Sequence, residues 1–459
     1  MYHTNVAKKR IRMNLVIDTA QYEARRLRLL RKLKTNAVVI IPSAQETVRS
    51  NDTEYSFRQN SDFYYLTGFN EPDCFLVLSN SSTYASTPHT ALFLRPKDDF
   101  AEIWHGRRLG ISDAPGALLL DAAYCVDDID EILPDMLDGH DYLYYALGDN
   151  LPSDDIVQCA MSVCKQAPKQ SKQAPASIVD VSRFIHAMRV IKSPQEIALM
   201  QQSADISCAA HKAAMTLCKP GVFEYQLEAT ILYTFAMHGA RHAAYNSIVG
   251  GGENACILHY VENKDALADG DLVLIDAGSE FQGYAADITR TFPVNGRFSE
   301  AQKELYNIVL STQLSSISQL VPGRTIAEVM KSAVIMITQG LLDLGILKGE
   351  LNTCIEEEAY KAYFMHGLGH FLGLDVHDVG DYKENGHDRL LEAGMVMTVE
   401  PGIYISKKAE VPEKYKGIGV RIEDNIVITH SGNEVLTRNV PKRIEDIEAH
   451  MALNSVKLR

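Results

Sequence analysis

Hydrophobic and polar positions fall into blocks whose spacing changes along the chain. Residues 15–35 set Leu27, Leu30 and Leu33 among Arg and Lys, which predicts a basic amphipathic helix with those leucines inward. Short β-prone runs follow between 37 and 147: AVVII, CFLVLS, TALFL and YLYYAL, interspersed with helical segments at 99–109 and 128–137. Strands alternating with helices predict an α/β domain. Residues 165–177, KQAPKQSKQAPAS, are low in complexity and predict an exposed loop or linker. Then Ser193-Pro194-Gln195-Glu196 forms a capping box, with Pro at the first helical position, and opens a helix expected to run through Leu217. These signals divide the chain into an N-terminal α/β domain, 14–185, and a second domain, 186–445.

The second domain echoes itself. Lys219-Pro220-Gly221 precedes one predicted helix and Val321-Pro322-Gly323 another. Each is followed later by a glycine, an apolar strand and a carboxylate: Gly270-DLVLI-Asp276 in the first copy, Gly394-MVMTV-Glu400 in the second. A further strand in each copy carries a second acid, Asp287 in DITRTFPV and Glu423 in VRIEDNIVI. The repeat implies two half-domains facing each other, with their acidic positions converging.

The stretch 271–294 shows why this matters chemically. It reads as an antiparallel hairpin turning at Gln282-Gly283. An aspartate closing a strand as apolar as LVLI is at least partly buried and needs a donor or a metal. Four converging carboxylates repel one another unless cations lie between them, and bridging carboxylates hold two ions about 3.5 to 4 Å apart. The run His366-Gly367-Leu368-Gly369-His370 adds imidazoles on a Gly-rich turn, and His259 and His377 are further candidates.

Bulk properties narrow the class. The chain has 459 residues, 46% of them hydrophobic, with a net charge of -14 and a pI of about 5.5. That balance argues against nucleic acid as the main ligand. Eight cysteines lack CxxC spacing and read as buried free thiols rather than a disulfide framework. No apolar run is long enough to span a bilayer, and the basic N-terminus lacks the apolar core of a signal peptide. A cytoplasmic enzyme with no membrane partner is expected.

The motifs NSIVGGGENACILHY, DLVLIDAGSEFQGYAADITRTFPV, HGLGHFLGLDVHD, MVMTVEPGIY and GVRIEDN resemble those of the pita-bread metallopeptidases, most closely the aminopeptidase P (Xaa-Pro aminopeptidase) family. FRQNSDFYYLTGFNEPD and EIWHGRRLG extend the resemblance to the N-terminal domain. It implies a pita-bread (creatinase/aminopeptidase-like) α+β catalytic domain of pseudo-twofold duplicated halves, and hydrolysis of the N-terminal Xaa-Pro bond of peptides with proline second. It implies two divalent ions: Asp276 on one, His370 and Glu400 on the other, Asp287 and Glu423 bridging. Oxygen ligands with one nitrogen suit Mn²⁺ best, with Co²⁺ or Zn²⁺ compatible. A metal-bridging hydroxide would attack the carbonyl, His259 and His377 would donate to its oxygen, and Glu400 would pass the proton to the proline nitrogen. Arg421 would hold a ligand carboxylate. His366, His377, Tyr245 and Tyr404 are candidates for a wall against the proline ring, whose tertiary amide offers no N–H. Trp104 would reach a neighbouring subunit's site, as in tetrameric members, and a homodimer or homotetramer is expected. Asp375 and Asp378, flanking His377, read as local hydrogen-bonders. The alternatives are an Xaa-Pro dipeptidase (prolidase) and, more remotely, a non-catalytic pita-bread binding protein.

Overall fold

The computed structural model describes residues 16–81, 89–167 and 172–455. The basic stretch before residue 15 and part of 165–177 lie outside the described residues. The first helix, Thr19–Lys32, buries Tyr22, Leu29 and Leu30, whereas Leu27 is 41% exposed. The inner stripe therefore differs from the expected one, because Arg25 and Arg26 also turn inward. Their guanidinium groups donate to the carbonyls of Tyr65, Leu66, Leu118 and Leu119, which satisfies charges that the pattern assigned to solvent.

The N-terminal sheet has six strands, ordered Ala122–Cys125, Thr90–Leu94, Phe75–Ser79, Ala37–Pro42, Tyr142–Tyr144 and Ser177–Val179. Alternation in AVVII sorts its two faces. Val38 and Ile40 pack with Leu133, Met136, Val157 and Met161 of helices Ile129–Leu137 and Leu151–Gln166. Val39 and Ile41 face Leu29, Phe63, Leu66 and Ile185 of helices Thr19–Lys32, Ser61–Thr67 and Ser182–Arg189. This second core continues into Tyr284, Leu372, Leu374 and Val396 of the following unit, so the two units share a seam.

The capping box forms as expected. Ser193 accepts from the Glu196 N–H, Glu196 accepts from the Ser193 N–H, and the helix runs Pro194–Leu217. Of the three three-stranded antiparallel sheets that follow among the described residues, two adjoin the acidic positions. One is Ile248–Gly251, Leu272–Asp276 and Thr289–Pro293; the other is Val396–Val399, Asp424–Thr429 and Gly432–Val435. Helices Pro194–Leu217 and Glu224–Met237 accompany the first half, Glu300–Gln319 and Ile326–Asp343 the second.

The stretch 271–294 is more elaborate than one hairpin. Leu272–Asp276 pairs directly with Thr289–Pro293, Asp276 opposite Thr289. Between them, Ser279–Phe281 and Tyr284–Ala285 form a smaller hairpin in a different sheet, closed at Gln282-Gly283, both with positive φ (55° and 81°). The chain switches sheets at Gly278, where a Cβ would lie 1.7 Å from the Ala286 carbonyl oxygen. Of the eight cysteines, all free, Cys74, Cys164, Cys208, Cys218 and Cys354 are buried. Cys159 is exposed, so the expectation of uniformly buried thiols does not hold.

Candidate active site

The acidic positions of both halves converge where the two sheets meet. Asp276 ends its strand; Glu400 directly follows Val396–Val399. Asp287 and Glu423 each sit just ahead of a core strand, Thr289–Pro293 and Asp424–Thr429. The halves are stitched across this line. The Glu423 N–H donates to the Thr289 carbonyl at 3.0 Å, and the Arg421 N–H to Thr291 Oγ1 at 3.2 Å. Asn425 completes the junction, accepting from the Asp287 N–H at 3.1 Å and donating to the Asp287 carbonyl.

Ligating atoms of Asp287, His370 and Glu423 all lie within 4.8 Å of one another. His370 donates from Nδ1 to the Phe371 carbonyl at 2.9 Å, which aims Nε2 at Asp287 and Glu400, each 3.5 Å away. Asp276 lies outside this tightest group. Arg421 Nη2 donates to it at 2.6 Å, and the Tyr245 hydroxyl is shared between it and Asp287. Thr398 Oγ1 accepts from the His370 N–H at 3.0 Å and donates to Glu400 at 3.3 Å.

The electrostatics describe a site built for cations. Burial, then Asp276, lifts the Asp287 carboxyl above its ordinary range. Burial, eased by His370 and reinforced by Asp287, lifts Glu400 to about 7. Burial followed by Asp287 and Glu400 pushes Glu423 well up. Burial pulls His370 down, but Asp287 and Glu400 outweigh it and raise it to about 9. Glu423 Oε2 accepts from Thr289 at 2.7 Å, while its Oε1 is buried with no hydrogen-bond partner among the described residues. A buried acceptor left bare amid mutually repelling carboxylates fits a divalent ion.

A cavity of about 630 Å³ opens onto this cluster, lined also by His259, His366, His377 and Arg421. The His370 and His377 rings lie 4.0 Å apart. Arg421 donates to the Tyr404 hydroxyl at 2.9 Å, and Tyr404 in turn bonds His366 Nε2 at 2.8 Å. His366 Nδ1 donates to the Gly367 carbonyl at 2.8 Å. Burial and then Arg421 push His366 down to about 4, so the ring is neutral at physiological pH. Tyr404 stands behind the lining rather than in it, a link in this chain and not a wall. Ile248, Leu258, Val261 and Val376 supply the apolar lining. Trp104 is 72% exposed on helix Asp99–His105, away from this cavity, with Phe100 as its ring neighbour.

Sequence reasoning missed Thr289, Asn425, Thr398 and Glu224. Thr289 and Asn425 each follow an acid by two residues, DIT and EDN, and that shared spacing was the available signal. Glu224 is fully buried. It accepts from the Gly251 and Asp265 N–H groups, Asn254 and the Tyr260 hydroxyl, and so pins the segment carrying His259.

A model of metallopeptidase family M24 matches residues 198–430, and one described as aminopeptidase P, N-terminal domain, matches residues 22–144. The chain belongs to metallopeptidase family M24. This M24 chain is 49% identical to an Escherichia coli Xaa-Pro aminopeptidase across 95% of its own length and 98% of the relative's. It is 35% identical to human Xaa-Pro aminopeptidase 3, covering 94% of itself and 86% of that protein. Among solved structures it matches zinc-substituted E. coli aminopeptidase P in complex with product, with a TM-score of 0.93, 49% identity and 95% and 99% coverage. It matches proline aminopeptidase P II from Yersinia pestis with a TM-score of 0.92, 51% identity and 95% and 100% coverage. The architecture is thus an aminopeptidase P-type α/β domain followed by an M24 pita-bread domain of two duplicated halves.

Proposed function

We propose that this protein is an Xaa-Pro aminopeptidase, a metal-dependent hydrolase that releases the first residue from peptides with proline second. One observation carries the reading. A chain 49% identical, almost end to end, to an Xaa-Pro aminopeptidase gathers one imidazole and four carboxylates at one cavity, with a buried Glu423 oxygen left bare. Asp276, Asp287, His370, Glu400 and Glu423 would hold two divalent ions, Mn²⁺ first, with Co²⁺ or Zn²⁺ compatible. When bound, the ions supply Lewis acidity and an activated water beside the scissile carbonyl.

The protein's own groups do the rest. His259 and His377 face the same cavity, and neither ring is hydrogen-bonded among the described residues, so both can donate to the carbonyl oxygen as it gains charge. Glu400 carries the proton to the proline nitrogen. Arg421 fixes Asp276 while Tyr404 and His366 hold Arg421's geometry. Proline is accommodated because Ile248, Leu258, Val261 and Val376 offer an apolar surface to its ring, and its tertiary amide has no N–H to satisfy there. Trp104, exposed as it is, serves a neighbouring subunit in a homo-oligomer, and the domain division lies near residue 185. A cytoplasmic location accords with a described chain in which no helix is long and apolar enough to cross a membrane.

The test is a metal titration. Mn²⁺ returned to metal-stripped protein should restore release of the first residue from an Xaa-Pro-Xaa peptide, saturating near two equivalents. Asp287→Ala should stay inactive at any Mn²⁺ level; full activity in that variant contradicts the reading.

A further inference from the structure

His377 owes its position to its neighbours. Its ring makes no hydrogen bond among the described residues, and its ring centroid lies 4.0 Å from that of His370. The residues on either side are fixed with unusual firmness. Asp378 is 1% exposed at its side chain and accepts from Arg189 at 2.6 Å and Lys192 at 2.8 Å, while its N–H donates to the Phe371 carbonyl at 2.9 Å. Asp375 accepts from Arg189 at 2.7 Å and from the Ser61 hydroxyl at 2.6 Å. Gly373 makes the approach possible, since a Cβ there would lie 2.2 Å from Asp378 Oδ2.

Arg189 ties these together. Its side chain is 3% exposed and its second terminal nitrogen donates to Asp62 at 2.7 Å. Asp62 and Ser61 belong to helix Ser61–Thr67 of the N-terminal unit, and Arg58, just before it, donates to the Leu374 carbonyl. One guanidinium therefore joins a helix of the N-terminal unit to both residues that bracket the His377 peptide. The guanidinium's rigid planar fork sets three carboxylates apart in a fixed geometry, whereas a lysine gathers its three donors on a single nitrogen.

We propose that Arg189 is the positioning residue for His377, and that the N-terminal unit contributes to turnover by docking through it. This rests on the reading of His377 as a donor to the substrate carbonyl. Without Arg189 the segment 373–378 keeps Lys192, Ser61 and Arg58 as anchors but loses the one group that joins Asp375 to Asp378 across His377, and an outer group misplaced in this way typically costs about 10- to 100-fold.

A double-mutant cycle on the manganese-loaded enzyme tests it, with an Xaa-Pro-Xaa peptide as substrate. Arg189→Lys and Asp375→Asn should each lower kcat about 10- to 100-fold, with KM within about threefold and bound metal unchanged. In a His377→Ala background the same changes should add less than about twofold, because the ring they position is gone. If they multiply the His377→Ala loss in full, or strip metal, the positioning role is wrong. Should Arg189→Lys fail to fold, Ser61→Ala removes the hydroxyl that donates to Asp375 and accepts from Arg58, and the same non-additivity is expected at a smaller amplitude; full additivity there overturns the proposal. Unchanged kcat in His377→Ala alone removes the donor reading and this proposal with it.

Discussion

Glu423 shows how much one side chain depends on its surroundings. One oxygen has Thr289 and the other has no hydrogen-bond partner among the described residues, in a pocket where burial, then Asp287 and Glu400, push its proton affinity upward. Thr289 also accepts from Arg421 Nε at 3.0 Å, so a single hydroxyl couples the Glu423 carboxylate to the arginine that donates to Asp276. Thr289→Val should cost roughly 10- to 100-fold in metal affinity or in kcat/KM, by metal titration and peptide assay, with little loss of fold. Asp276 and Glu400 were legible because carboxylates closing apolar strands are conspicuous, and Asp287 and Glu423 because each recurs in the following strand of its copy. Thr289 was not, because its partner lies 134 positions away and the spacing it shares with Asn425 names no partner.

Among elements, the strands and helix starts were the most readable, since alternation and capping are local. Removing the hydroxyl that opens Pro194–Leu217, Ser193→Ala, should lower stability by about 0.5–2 kcal/mol in urea unfolding and leave metal stoichiometry alone. The central hairpin was read too simply. Its two aspartates are registered by the pairing of Leu272–Asp276 with Thr289–Pro293, not by the turn at Gln282-Gly283, which closes a separate ribbon. Gly278→Ala should show the difference. Its methyl would meet backbone at 1.7 Å, so destabilisation of about 1–3 kcal/mol or more is expected, with metal loss accompanying it. The first helix was misread at Leu27 because burial of Arg25 and Arg26 depends on carbonyls supplied from distant residues.

For the whole molecule, the duplication was visible as a repeated Gly-strand-acid spacing; the convergence of the halves followed from that repeat, and the need for cations from charge. The docking of the N-terminal unit was not visible, because the Arg189 cluster draws Asp62, Asp375 and Asp378 from segments far apart in the chain. That cluster gives the molecule an acid limit. Burial alone would lift Asp378, but Lys192 and Arg189 outweigh it; for Asp62 the His186 hydrogen bond and Arg189 do the same. Both native carboxyls therefore titrate below the ordinary aspartate value of about 3.9. Their contribution is complete at neutral pH and is lost as pH falls below about 4 toward the depressed native values. An acid-unfolding series should show Asp378→Asn with a flatter acid limb than the parent. Arg189→Met, which takes the shared cation from three carboxylates and leaves them Lys192, His186 and Ser61, should cost about 3–5 kcal/mol at pH 7.

The central claim is that this fold and metal site act on the N-terminal Xaa-Pro bond of peptides longer than two residues. Mass-spectrometric product analysis with manganese-loaded protein tests it most directly, offering Gly-Pro, Gly-Pro-Leu and Gly-Ala-Leu side by side. Release of glycine from Gly-Pro-Leu, with Gly-Ala-Leu left intact, is the predicted result. Cleavage of Gly-Pro alone, or of none of the three, would contradict it.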